Sequence, residues 1–126
     1  MKKKIMVIDD EPDQILTVKQ ILEDMEEGFE VIGAESGLEC FNLLKNNNIP
    51  DLILLDILMP DMNGWEVLTE LRNNSKWKNI PVIFISAIDD KKNIIISKHI
   101  SEDFIEKPLD VSIFKNKIKK ILKNTD

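Results

Sequence analysis

The chain has 126 residues, 43% of them hydrophobic and 32% charged, with a net charge of −6 at pH 7. That balance suits one globular domain able to bury roughly two-thirds of its unfolded surface, and it excludes a disordered or collagen-like polymer. Cys40 is the lone cysteine, so no intramolecular disulfide can form, and no apolar run approaches the ~18–20 residues that a membrane span requires.

Strand-like and helix-like patterns alternate along the chain. Lys4 to Ile8 is a short apolar run ending in acid, and after Pro12, a good first-turn residue, Ile15, Val18, Leu22 and Met25 recur at helical spacing. Phe29 to Ala34 reads as a second strand. Ser36 then caps a helix whose predicted apolar face is Leu38, Phe41 and Leu44, ended by Asn46-Asn47-Asn48 and Pro50. Leu52 to Leu55 is apolar on both faces, as a central parallel strand should be, and Pro60 to Gly64 forms a loop before a helix carrying Val67, Leu68 and Leu71. Pro81 to Ile85 begins a fourth unit, with a helix predicted near Asp90 to His99. Phe104-Ile105 begins the fifth, whose final helix carries Ile113, Phe114, Lys117, Ile118, Ile121 and Leu122.

Five βα units in strict alternation predict an α/β fold, a doubly wound parallel sheet with helices on both faces. Ligands of such sheets bind at the carboxyl ends of the strands. Here those ends present Asp9 and Asp10 after the first strand, Asp56 after the third, Ser86 after the fourth and Lys107 after the fifth. Three carboxylates in one pocket repel one another unless a cation sits among them, and a hard divalent ion such as Mg²⁺ prefers oxygen ligands. Such an ion also bridges to phosphate oxygens, and Lys107 adds a second positive charge. Asp56 is then placed to act as a nucleophile that accepts a phosphoryl group, and the Ser86 hydroxyl to bond a phosphoryl oxygen.

These residues resemble the receiver domains of two-component response regulators. The resemblance runs through Val7-Ile8-Asp9-Asp10-Glu11-Pro12, Asp51 to Pro60, Asn63-Gly64, Ser86-Ala87 and Lys107-Pro108. It implies a single receiver domain over residues 1–126, with a flavodoxin-like five-stranded sheet of order 2-1-3-4-5. It further implies Asp56 as phosphoacceptor, and Mg²⁺, or Mn²⁺ in its place, on Asp9, Asp10, Asp56 and the backbone carbonyl of Leu58. Ser86 and Phe104 match the two switch positions, and Lys107 the phosphate-contacting lysine, with a cis bond to Pro108. The donor would be a sensor histidine kinase or a phosphotransfer protein. Turnover chemistry is not expected, only self-catalysed phosphotransfer and autodephosphorylation.

Some positions depart from the family pattern. Lys98-His99-Ile100-Ser101 stands where a Gly-Ala turn is usual, and Phe104 where Tyr is common. Leu58 and Ile88 are apolar at positions flanking the phosphoryl group, which predicts a shielded, long-lived phosphorylated state. Output is expected through the fourth helix, fifth strand and fifth helix, where Lys91, Lys92, Lys98, Lys115, Lys119 and Lys123 surround Phe104. The chain stops after Asn124-Thr125-Asp126, so output would go through a separate protein or through a further domain such as a DNA-binding one.

Charge distribution sharpens that expectation. Residues 1–90 hold 8 Lys/Arg against 18 Asp/Glu, whereas residues 91–126 hold 9 against 5. A basic last third on an acidic body is no broad footprint for nucleic acid, so direct binding to it is not expected, and an acidic protein partner or a plain solvated face fits as well. With neither a signal peptide nor a membrane span, a cytoplasmic location is expected. Rival readings fit less well. A haloacid dehalogenase-type phosphatase wants an Asp where Leu58 stands, and a flavin module wants a phosphate-cradling loop where Asp9-Asp10-Glu11 would repel phosphate. A phosphate-independent pseudo-receiver is disfavoured because every charged site residue is present.

Overall fold

The computed structural model describes residues 2–87 and 103–123. In chain order the elements are β1 (Lys4–Ile8), α1 (Pro12–Asp24), β2 (Glu30–Ala34), α2 (Gly37–Lys45), β3 (Leu52–Asp56), α3 (Gly64–Arg72), β4 (Val82–Ala87), β5 (Asp103–Lys107) and α4 (Val111–Lys123). The strands form one sheet in the order β2-β1-β3-β4-β5, and every pairing is parallel. The expected order 2-1-3-4-5 is therefore the observed one. The helix predicted near Asp90 to His99, the Lys98 to Ser101 segment, Ile88, Lys91 and Lys92 lie outside the described residues.

Strand period and helix placement together give the sheet two dry faces. Met6 and Ile8, Ile53 and Leu55, Val82 and Phe84, and Phe104 pack with Cys40, Phe41, Leu44, Val67, Leu68 and Leu71 of α2 and α3. The alternate residues Ile5 and Val7, Leu52 and Leu54, Ile83 and Ile85, and Ile105 pack with Val18 and Leu22 of α1 and with Phe114, Ile118 and Leu122 of α4. Because successive strand side chains point to opposite faces, a continuous apolar run is what a sheet covered on both sides requires.

Two sequence expectations shift in detail. Leu38 is 69% exposed, while Cys40 is fully buried. Helical geometry explains this, since steps of three residues drift around the helix, leaving Leu38 about 120° from Leu44; Gly37, Cys40, Phe41 and Leu44 share the sheet-facing side. Ile113 is likewise exposed, because the inward stripe of α4 is Phe114, Ile118 and Leu122 at four-residue spacing. The predicted strand and helix edges also move by one or two residues, with Met25 buried just past the end of α1 as its cap. Ser36 caps α2 as expected, its side chain accepting from the Glu39 N–H at 3.1 Å.

The start of α3 is set by a close approach. A Cβ on Gly64 would lie 2.6 Å from the Asp56 carbonyl oxygen and 2.9 Å from the Ile57 Cα. The Gly64 N–H meanwhile donates to the Ile57 carbonyl at 2.9 Å. Asn63 and Glu66 lock the same turn as a capping box. Backbone atoms cannot rotate away as a flexible side chain would, so Gly64→Ala is expected to cost about 1–3 kcal/mol of stability in urea denaturation, against the stabilisation that alanine usually brings to a helix.

Candidate phosphoryl-transfer site

The pleat that sorts the core also gathers the charged residues. Asp9, Asp56 and Lys107 continue the same alternate phase as Val7, Leu54 and Ile105, so they project to one face at the carboxyl ends of β1, β3 and β5. Asp9 extends the ladder past β1 by donating its N–H to the Ala34 carbonyl at 3.0 Å. Lys107 is in register with Ala87 and reaches across β4. Its Nζ lies 3.2 Å from Asp9 Oδ2, a hydrogen-bonded ion pair, and 3.6 Å from Asp56 Oδ2. The Lys107–Pro108 peptide bond is cis.

Each buried carboxylate is oriented by the chain two residues on. The Glu11 N–H donates to Asp9 Oδ1 at 2.9 Å and the Leu58 N–H to Asp56 Oδ1 at 3.3 Å. Both are local side-chain-to-backbone turns of the kind Asp favours. They leave the second oxygen of each carboxylate toward Lys107. Asp10 joins them from the solvent side, and one carboxylate oxygen from each of Asp9, Asp10 and Asp56 lies within 4.8 Å of the others.

Among the described residues the electrostatics are unbalanced, with one ammonium against three carboxylates. Burial pushes the Asp56 carboxyl up to about 6; Lys107 opposes this, while Asp9 and Asp10 add to it. For Lys107 burial acts downward, but Asp56 and Asp9 outweigh it and hold the ammonium above its ordinary range. A cluster of oxygen donors with an excess of negative charge suits a hard divalent cation. Asp9, Asp10 and Asp56 are the residues that would hold it.

Ser86 ends the approach from β4, one residue beyond Ile85, the register partner of Asp56. Its Oγ is buried and has no hydrogen-bond partner among the described residues; a buried hydroxyl left unpaired costs about 1–3 kcal/mol. The hydroxyl is thus a spare donor at the site. Phe104 is 4% exposed and in register with Phe84, so the aromatic switch position is packed inward. Its backbone carbonyl accepts from Lys117 Nζ at 2.6 Å. Leu58, two residues beyond Asp56, is 57% exposed.

Of the site residues read from the sequence, Asp9, Asp10, Asp56, Leu58, Ser86 and Lys107 lie at this sheet edge, whereas Phe104 is the second residue of β5, three before Lys107 and toward the amino end of the strand. The reading missed the orienting amides of Glu11 and Leu58, although Asp at the start of a tight turn was the available signal. It also placed Lys117 among the inner positions of the last helix without its bond to Phe104. Gly64 is read from the sequence as a loop residue and, with Asn63, as part of the resemblance, without its close approach to the Asp56 carbonyl.

Comparison with known proteins agrees with this geometry. The family description "response regulator receiver domain" matches residues 5–119. A probable transcriptional regulator, ycf27, of Porphyridium aerugineum is 33% identical over 99% of this chain, which spans 50% of that protein. The polar-differentiation response regulator DivK of Brucella ovis is 32% identical, with 97% of this chain and 98% of that one covered. The chain thus spans about half the length of some curated relatives and nearly all of others. Among solved structures, a receiver domain of a Francisella response regulator superposes with a TM-score of 0.84 at 31% identity, covering 99% of this chain and 100% of that one. A CheY-like receiver domain protein from Methanospirillum hungatei gives 0.85 at 28%, covering 99% and 97%.

The raised Asp56 value fixes the sign of a pH effect. Between its ordinary value of 3.8 and about 6, the folded state keeps a proton that the unfolded chain has lost, so stability falls as pH rises through that window. Two units correspond to about 3 kcal/mol at most. Without divalent cations, Asp56→Asn is therefore expected to melt about 5–10 °C above wild type at pH 7.5. The difference should vanish near pH 4, as followed by circular dichroism.

Proposed function

The chain belongs to the response regulator receiver domain family of two-component signalling, and from that premise we propose that Asp56 accepts a phosphoryl group from the phosphohistidine of a sensor kinase or phosphotransfer protein. The single observation that carries this reading is the cluster itself. Among the described residues, two buried carboxylates, a third at the surface, one ammonium within 3.6 Å and a buried serine hydroxyl without a partner meet at one sheet edge.

Transfer needs no general base. Above the raised pKa of about 6, Asp56 is a carboxylate, and one of its oxygens forms the O–P bond as the donor's N–P bond breaks, the electron pair returning to the imidazole. Lys107 stays charged beside Asp56 Oδ2 and meets the charge that collects on the phosphoryl oxygens. A divalent cation, Mg²⁺ with Mn²⁺ as substitute, held by Asp9, Asp10, Asp56 and the Leu58 carbonyl, would supply charge neutralisation for the acidic cluster and the phosphate.

Phosphorylation would then act as a switch. Ser86 Oγ gains an acceptor on the phosphoryl group, and the movement is relayed to Phe104 on the neighbouring strand and onward to the surface formed by the fourth predicted helix, β5 and α4. A differential stabilisation of a few kcal/mol is enough to invert such an equilibrium. The partner would be a protein effector, with the exposed Leu58 side chain shielding the acyl phosphate from water. The chain would work in the cytoplasm, be phosphorylated and dephosphorylate itself, and turn over no other substrate. Relatives include both long transcriptional regulators and a short regulator of this length, so a linked DNA-binding output remains the alternative to a separate effector.

Intact mass after incubation with acetyl phosphate tests the chemistry. Wild type with Mg²⁺ is expected to gain one hydroxylamine-labile phosphoryl group. EDTA or Asp56→Asn should abolish it, and Lys107→Ala should slow it by at least tenfold. An adduct that survives Asp56→Asn would refute the assignment. Ser86→Ala should still be phosphorylated, but should lose the phosphorylation-dependent amide shifts around Phe104.

A further inference from the structure

The basic end of the chain is not used by the phosphoryl site, and it lines a cavity of its own. Lys119, Leu122 and Lys123 leave the last turns of α4, Lys2 and Lys3 precede β1, and Glu27 and Phe29 precede β2; together they line an open cavity of about 530 Å³. This lies at the amino ends of the strands. The five residues of β1 put about 17 Å of strand between it and Asp9, so it is separate from the acidic cluster.

Its lining combines apolar surface with four lysines, Lys2, Lys3, Lys119 and Lys123. Phe29 and Leu122 are 5% and 4% exposed, which makes them a closed floor. Four lysines face one carboxylate, and that carboxylate, Glu27, already pairs with Lys119 at 3.9 Å. Lys2 and Lys123 make no ion pair among the described residues; Lys2 instead lies over Gly28, its Cε 3.7 Å from where a Cβ would sit. Lysines in a last helical turn are commonly explained by the helix dipole. That account covers Lys119 and Lys123 but not Lys2 and Lys3, which come from another element.

Concentrated positive charge in a chain of net charge −6 calls for an anion, and the surroundings limit its size. Glu26 directly precedes the lining residue Glu27, and Glu30 directly follows Phe29, so the chain on either side of these lining residues is acidic. A long polyanion or an extended acidic peptide would meet Glu26 and Glu30. A compact ligand would not. Lysine acts as a point charge for phosphate without demanding a planar partner, and the volume falls within the range of small-molecule sites. We propose that this cavity binds a small polyphosphorylated anion, of a size between pyrophosphate and a nucleoside diphosphate. The same helix carries Lys117, which holds the Phe104 carbonyl, so a ligand drawn to Lys119 and Lys123 is linked to β5.

Calorimetric titration with pyrophosphate and with ADP, in EDTA at low salt and with backbone amide shifts recorded in parallel, tests this. Saturable binding is expected, with shifts at Lys2, Lys3, Gly28, Phe29 and residues 119–123. Lys2→Gln with Lys123→Gln should weaken it at least tenfold without changing Mg²⁺-dependent phosphorylation of Asp56. Asp56→Asn should bind as wild type does, which separates this site from the phosphoryl reading. Absence of saturable binding, or binding that the double variant leaves intact, would overturn the proposal. So would a hexaglutamate peptide or a short single-stranded RNA that binds as tightly as pyrophosphate.

Discussion

One ammonium shared by two buried carboxylates is the contact on which the molecule turns. Lys107 Nζ sits between Asp9 and Asp56, far from them in sequence and separated from Asp56's strand by β4. It ties the last strand to the first and third at their carboxyl ends. The tie is incomplete by design of its charges, because Asp10 adds a third carboxylate that nothing cationic among the described residues offsets. Burial makes that excess felt, as the upward displacement of Asp56 shows. The fold thereby holds a local demand for positive charge at the place where a phosphoryl group would arrive.

The sheet makes this demand possible at low cost elsewhere. Both faces are dry, and strand after strand is apolar at consecutive positions, so stability comes from burial that does not involve the acidic edge. Polar exceptions are confined to the strand ends; among the described residues the buried ones are Asp9, Asp56 and Ser86. Gly64 serves the same separation. It lets α3 begin against the Asp56 carbonyl, while the Asp56 side chain takes part in the acidic cluster.

Much of this was readable in the chain because period and punctuation agreed. Leu52 to Leu55 could hardly be anything but a doubly covered strand, and Asp56 followed at its end. The order of Asp9-Asp10, Asp56, Ser86 and Lys107 carried the site, since parallel topology sends every strand's carboxyl end the same way. Where the reading slipped, three-dimensional detail decided. Leu38 looked inward by composition, but its angle on a helix starting at Gly37 puts it outside. Lys117 bonding to a main-chain oxygen, and the amides that orient Asp9 and Asp56, depend on distances that residue spacing does not encode. The cavity beside Lys2 and Lys119 joins the two ends of the chain, and only the assembled sheet brings them together.

Cys40 has a practical consequence. It is wholly enclosed by the α2–α3 side of the core, and burial pushes its thiol up to about 12, so at neutral pH the thiol holds its proton and the thiolate that alkylating reagents attack is scarce. To maleimide chemistry the native chain is nearly silent. A single cysteine introduced at an outward position such as Leu38 would therefore report alone, and a fluorophore or spin label could follow the protein's motions with its own core left intact.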